Sequence, residues 1–118
     1  MADKAKLEKR LDIMVERLAD VGPDIAEDWG GTILFKATDL NTGWMMKFAM
    51  DGTIESLEER MDEEAATSIM EADSDTLLGI FNGDINPMEA RAKGSMRAEK
   101  ALDPLALIMP ACIGPVDL

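Results

Sequence analysis

The amino-acid sequence predicts an α+β architecture, in which short strands build a sheet and helices back it. Three features point to it. Apolar residues recur at helical spacing near the N-terminus, the period then switches to alternation around two tight-turn signals, and beyond residue 73 two short helix signatures precede a last alternating stretch. A chain of 118 residues with 47% hydrophobic side chains is long enough for one real core, so residues 1–118 are expected to form a single domain.

Leu7, Leu11, Met14, Val15 and Leu18 fall on one helical face with charged residues between them, and Gly22-Pro23 supplies a stop, which predicts a helix over about 3–20. Residues 24–30 read as a connector or a short helical turn that folds Ile25 and Trp29 back onto the core. Residues 32–38 alternate, with Ile33, Phe35 and Ala37 on one face and Thr32, Leu34, Lys36 and Thr38 on the other. After the turn sequence DLNTG, a second strand places Trp44, Met46, Phe48 and Met50 on one side and Met45, Lys47 and Ala49 on the other. Asp51-Gly52 is a tight-turn pair leading to a third strand over about 53–60. Here propensity and architecture disagree. ESLEERMDEEAA is rich in good helix formers, but two hairpin turns in succession favour a strand, because tertiary context overrides propensity. A fourth short strand is expected over about 65–72, after the acidic loop 61–64.

Asp73 or Ser74 caps a helix running to about Asn82, with Gly83 ending it. Asn86-Pro87 repeats the device, with Asn as cap and Pro at the first helical position, and Gly94 terminates MEARAK. Residues 95–99 alternate again and turn Met96 and Ala98 the same way. Asp103-Pro104 opens an apolar segment, LALIMPACIG, expected to lie as a short helix across an apolar surface.

Composition narrows the chemistry. The formal charge is -12, and residues 51–75 hold ten acidic side chains against the single Arg60. Such a surface repels phosphate, which argues against nucleic acid and against electrostatic attachment to anionic lipid, leaving at most transient contact with a membrane. Histidine is absent, so catalytic constellations and zinc sites built on it are excluded, and the single cysteine, Cys112, excludes an intramolecular disulfide or a four-thiolate zinc site. Cys112 lies in an apolar segment without an adjacent cation and reads as a buried structural thiol. The acidic runs Asp62-Glu63-Glu64 and Asp73-Ser74-Asp75 lack the ordered ligand positions of a calcium loop and read as solvated faces. No catalytic residue, cofactor or metal site is expected, and the chain reads as a non-enzyme. With no leader-like apolar run after Met1 and one cysteine, the expected location is cytoplasmic. Ten methionines against three Phe, two Trp and no Tyr fill apolar space with flexible thioethers, for which a plain core is the first reading and the lining of a pocket the second.

Three passages resemble the sterol carrier protein 2 (SCP-2 sterol transfer) family. GTILFKATDLNTGWMMKFAMDGTI is similar to that family's first hairpin, and SDTLLGIFNGDINPMEARAKGSMRAEK to its leucine-rich helix, Asn-Pro-opened second helix and last strand. LDPLALIMP stands in the place of its lid-like C-terminal helix. The resemblance implies a five-stranded, mixed, mainly antiparallel twisted sheet covered on one face by helices around a hydrophobic tunnel. It implies non-catalytic binding, transfer or presentation of a hydrophobic ligand such as a fatty acid, acyl-CoA, sterol-like or isoprenoid lipid. Carried over by position, the ligand-binding candidates are Phe35, Trp44, Met46, Phe48, Leu77, Ile80, Phe81, Met88, Met96, Leu105, Ile108 and Met109. Glu99 and Lys100 depart from the basic residue and glycine that the family often has after the last strand, and the final segment is short with an internal Pro. The family's peroxisomal tripeptide is missing, in keeping with a stand-alone cytoplasmic protein. The alternative is an interaction or accessory module with a filled core, whose apolar C-terminal segment meets an enzyme partner or a second copy.

Overall fold

In the computed structural model, which describes residues 3–26 and 28–115, nine elements follow one another. They are α1 (Lys4–Ile25), β1 (Thr32–Ala37), β2 (Thr42–Phe48), β3 (Ile54–Glu59), β4 (Ser68–Ala72), α2 (Ser74–Phe81), α3 (Pro87–Lys93), β5 (Met96–Lys100) and α4 (Asp103–Cys112). The strands form one five-stranded sheet in the order β3-β2-β1-β4-β5, antiparallel except where β4 runs parallel to β1. The α+β class and the five-stranded mixed sheet are therefore as the sequence predicts.

The alternation in β1 and β2 sorts their side chains as expected. Ile33, Phe35, Ala37, Trp44, Met46 and Phe48 face the main core, where they meet Leu7, Leu11, Met14 and Leu18 of α1 and Leu77, Ile80 and Phe81 of α2. Burying each such Leu or Met contributes about 1.5–3 kcal/mol. Phe35 meets Phe81 edge-on at a centroid distance of 5.5 Å, and Trp29 folds back to lie 5.3 Å from Phe48.

β3 is a strand in spite of its helix-forming composition. It is an edge strand whose Ile54 and Leu57 are half-buried while Glu55, Ser56, Glu58 and Glu59 face solvent. A charged outer edge also resists pairing with a second chain.

The caps follow the sequence signals. The Asp73 side chain accepts from Thr76 N at 2.7 Å, Asn86 Oδ1 accepts from Met88 N at 2.9 Å, and Gly94 ends α3 in the left-handed region. Asp39, in the β1–β2 turn, accepts from Ser74 N at 2.8 Å and Ser74 Oγ at 2.6 Å, which ties the hairpin to the start of α2.

Three expectations change. The helix α1 does not stop at residue 20 but passes through Pro23 to Ile25. A proline in the last turn forfeits only one helical hydrogen bond, and the extra turn brings Ala26 into the core. Gly22 permits this path, because a Cβ there would sit 2.4 Å from the Gly52 carbonyl oxygen of the β2–β3 turn. Met50 does not continue the inner face of β2. The register shifts between Lys47 and Phe48, the chain turns with Ala49 N donating to Thr53 O at 2.8 Å, and Met50 is left 60% exposed. Finally, β4 begins only at Ser68 and not at about 65, because the 60–67 segment lies over the face of the sheet away from the helices, where Leu34, Met45, Ala66 and Ile69 form a small buried cluster. Lys100 helps to hold that segment down, its Nζ donating to Glu63 O and, at 2.9 Å, to Ala66 O. Its backbone takes the left-handed φ of 64°, a conformation that favours glycine.

Arg10 on α1 is fully buried. Its Nε donates to Asn82 Oδ1 at 2.8 Å, and its Nη2 donates to Phe81 O, to Cys112 O at 2.9 Å and to Gly114 O at 3.2 Å. Arg17 adds a bond from Nη1 to Cys112 O at 3.2 Å. Two cations of one helix thus clasp the C-terminal ends of α2 and α4, where the helix dipoles favour positive charge. Burial lowers the Arg10 pKa, and the positive charge of Arg17 pushes the same way.

Candidate apolar ligand site

α4 is a short apolar helix with Pro104 in its first turn and Pro110 near its end. It packs on α1 and leaves apolar hollows along both flanks. The larger, about 470 Å³, lies between α4, α3 and β5. Its floor is Met70, Met96 and Ala98, one wall is Pro87 and Met88 of α3, and the other is Leu105, Ala106, Met109 and Pro110 of α4, with Leu102 and Ile113 at its ends. Met88 is 80% exposed and Leu102 38%, so the groove opens to solvent. Among the described residues Arg91 is its single charged lining residue. The smaller hollow, about 300 Å³, lies between Ile25, Ala26, Trp29, Ala101, Pro104, Leu107 and Ile108, with Asp103 as a charged residue at its lining.

Local sequence explains how this surface stays apolar and open. Asn86-Pro87 starts α3 and Gly94 ends it after seven residues, so α3 is short and packs chiefly on β5. β5 turns Met96 and Ala98 toward the helices, and β4 brings Met70 beside them through the Met70–Ala98 pairing.

The residues singled out from the sequence separate into two groups. Met88, Met96, Leu105 and Met109 line the larger groove, and Ile108 lines the smaller hollow. Phe35, Trp44, Met46, Phe48, Leu77, Ile80 and Phe81 are no more than 2% exposed and pack against one another in the main core. Met70, Ala98, Pro110 and Arg91 line the groove without having been singled out. The signal for Arg91 was its spacing from Met88, since residues three apart share a helix face.

Chemically the groove offers thioethers, aliphatic carbons and one guanidinium. The thiol of Cys112 lies on the buried side of α4, where it donates to Ile108 O at 3.3 Å; burial pushes its pKa up to about 11, although Arg10 pulls the other way. Among the described residues no three acidic or thiol side chains converge as a metal site would require, and no helix is long and apolar enough to cross a membrane.

Comparison with known proteins locates this architecture. A double mutant of the sec-alkyl sulfatase PisA1 matches with a TM-score of 0.74 at 15% identity over 90% of this chain, which spans only 16% of the sulfatase's length. A crystal structure of sterol carrier protein 2 matches with a TM-score of 0.63 at 17% identity, covering 87% of each chain. Palmitated SCP2L2 from Aedes aegypti matches with a TM-score of 0.60 at 10% identity, over 92% of this chain and 98% of that one. No curated protein matches the sequence. Likeness at these identities concerns the fold, but the pattern of the SCP-2 sterol transfer family itself matches residues 14–102, three quarters of the sequence, and the chain belongs to that family.

Proposed function

We propose that this chain acts as one non-catalytic domain that binds a hydrophobic ligand in the groove between α3, β5 and α4, and transfers or presents it. The observation that carries this reading is the groove itself. A family that binds hydrophobic lipids here has about 470 Å³ of almost wholly apolar, solvent-open space beside its C-terminal helix, within the range of small-molecule sites. Apolar burial at roughly 25 cal/mol per Å² supplies the driving force. The sequence-derived set Phe35, Trp44, Met46, Phe48, Leu77, Ile80 and Phe81 serves as the wall behind the site, and Met88, Met96, Leu105 and Met109 serve as its lining. A tunnel would form by α4 lifting from the core, which would join the groove to the hollow at Ile108. Cytoplasmic residence fits this reading.

Titration of delipidated protein with a fluorescent fatty acid tests it. Saturable uptake is expected, with Met88→Asp and Leu102→Asp each weakening it by about tenfold, equivalent to about 1.4 kcal/mol. Both side chains are partly exposed, so the variants fold. Absence of saturable uptake, or uptake indifferent to both variants, contradicts the proposal.

A second reading, an accessory module of an enzyme assembly with no lipid ligand, has one observation in its favour. The same fold makes up a small part of a much larger sulfatase. It is distinguished by co-purification of a protein partner from a chain that takes up no lipid.

A further inference from the structure

Among the described residues the groove's lining is apolar except for Arg91 in the last turn of α3. Among the described residues the Arg91 guanidinium has no ion pair and no hydrogen bond, whereas Lys4, Lys36, Lys47, Arg60 and Arg97 pair with carboxylates; Lys6, Lys9 and Lys93 are also unpaired, but none of them lines the groove. In a chain with 24 acidic and 12 basic side chains, an unpaired arginine beside an apolar groove is conspicuous. Lys93 of the same helix is a second exposed cation nearby, while the acidic β3 lies at the opposite edge of the sheet. Glu89, two positions before Arg91 on α3, does not share its helix face.

We propose that Arg91 selects the ligand by its head group. The ligand class is a single-chain amphiphile with a carboxylate, whose hydrocarbon lies along Met88, Met96, Leu105 and Met109 and whose head group pairs with Arg91. This rests on the groove being the ligand site. A guanidinium binds a carboxylate through two parallel N–H donors, a geometry that an alcohol cannot match. The remaining charge of the chain acts in the opposite direction on an anionic ligand, so the selectivity comes from this one side chain. Lys93, exposed on the same helix but absent from the lining, shares the local field without the contact.

The test measures the dissociation constants of palmitate and cetyl alcohol, the latter delivered from cyclodextrin, for the delipidated full chain and three variants. The ratio of the two constants is the readout, because it cancels the shared contribution of the hydrocarbon. Arg91→Gln is expected to shift the ratio toward the alcohol by about threefold to fivefold, the size of a partly exposed ion pair. Arg91→Glu shifts it further, and Lys93→Gln leaves it unchanged. An unaltered ratio in both Arg91 variants overturns the proposal while leaving the groove as a ligand site, as does an equal shift in Lys93→Gln. Failure of both ligands to bind wild-type protein overturns the groove reading itself.

Discussion

Replacing Arg10 by Met removes the clasp that holds the ends of α2 and α4 to α1. The loss can be counted from its acceptors. Phe81 O still receives Gly114 N at 3.0 Å, and Cys112 O still receives Arg17 Nη1 at 3.2 Å. Asn82 Oδ1 and Gly114 O lose the donors they have from Arg10 at 2.8 and 3.2 Å. Two acceptors left short at roughly 1–2 kcal/mol each give a loss of about 2–4 kcal/mol. Against this stands the cost of keeping a guanidinium out of water, which the methionine avoids. Nη1 adds to that cost, being buried without a partner among the described residues. Asn82 is only half-buried, so water can replace part of its lost bond. The net effect is expected at the lower end, about 2 kcal/mol, which at an m-value of roughly 1.3 kcal/mol per molar urea lowers the midpoint by about 1.5 M. Arg10→Ala adds a cavity and is expected to cost more, about 3–5 kcal/mol. Urea unfolding followed by circular dichroism measures both, and amide exchange at Gly114 reports whether the loosening is local. Wild-type stability in Arg10→Met, with unchanged protection at Gly114, would refute the reasoning, since burial of the charge would then cost as much as its hydrogen bonds return.

Gly22→Ala brings a Cβ to 2.4 Å from the Gly52 oxygen, so a net loss of about 1–3 kcal/mol is expected despite the better helix propensity of alanine; a raised melting temperature would contradict the close approach. Cys112, with its pKa pushed up to about 11 by burial, is expected to react with iodoacetamide at pH 8 only on unfolding, and rapid labelling of native protein would count against the packing of α4. Burial works to raise the Asp39 pKa, but hydrogen bonds from the side chain and backbone of Ser74 outweigh it and hold the carboxyl low. Because the folded value is the lower one, the bond contributes full stability above the ordinary aspartate value of 3.8 and loses it as the pH falls from there through the folded value. Urea midpoints measured from neutral pH downward should therefore fall more steeply for wild type than for Asp39→Asn, and parallel profiles would show that the bond adds nothing.

Most of the scaffold is legible because its punctuation is chemical. Asp73, Asn86-Pro87 and Gly94 each meet a stereochemical demand that few residues satisfy, and all three act where the sequence places them. β3 is legible only through its neighbours, since its glutamates favour a helix and the adjoining turns decide. The errors have a common origin in contacts between distant segments. Pro23 ends nothing because Gly22 finds Gly52 thirty residues away, and Met50 leaves the inner face because the chain already turns at Ala49, whose N–H donates to Thr53 O. The second buried cluster depends on a loop whose acidic sequence gives no hint that Ala66 covers Leu34 and Met45. The same limit applies to the site. Alternation identifies Met96 as inward-facing, but whether Phe81 or Met109 borders open space depends on how α4 docks, and no local pattern encodes that.

Ten methionines make the central claim directly measurable. In protein labelled with ¹³C at the methionine methyls, saturation with palmitate is expected to shift Met70, Met88, Met96 and Met109, which line the groove. Met14 and Met46, fully buried in the main core, and Met45 and Met61 on the far side of the sheet should hold their positions. Shifts confined to Met14 and Met46, or no saturable shift at any of the ten, would contradict the account.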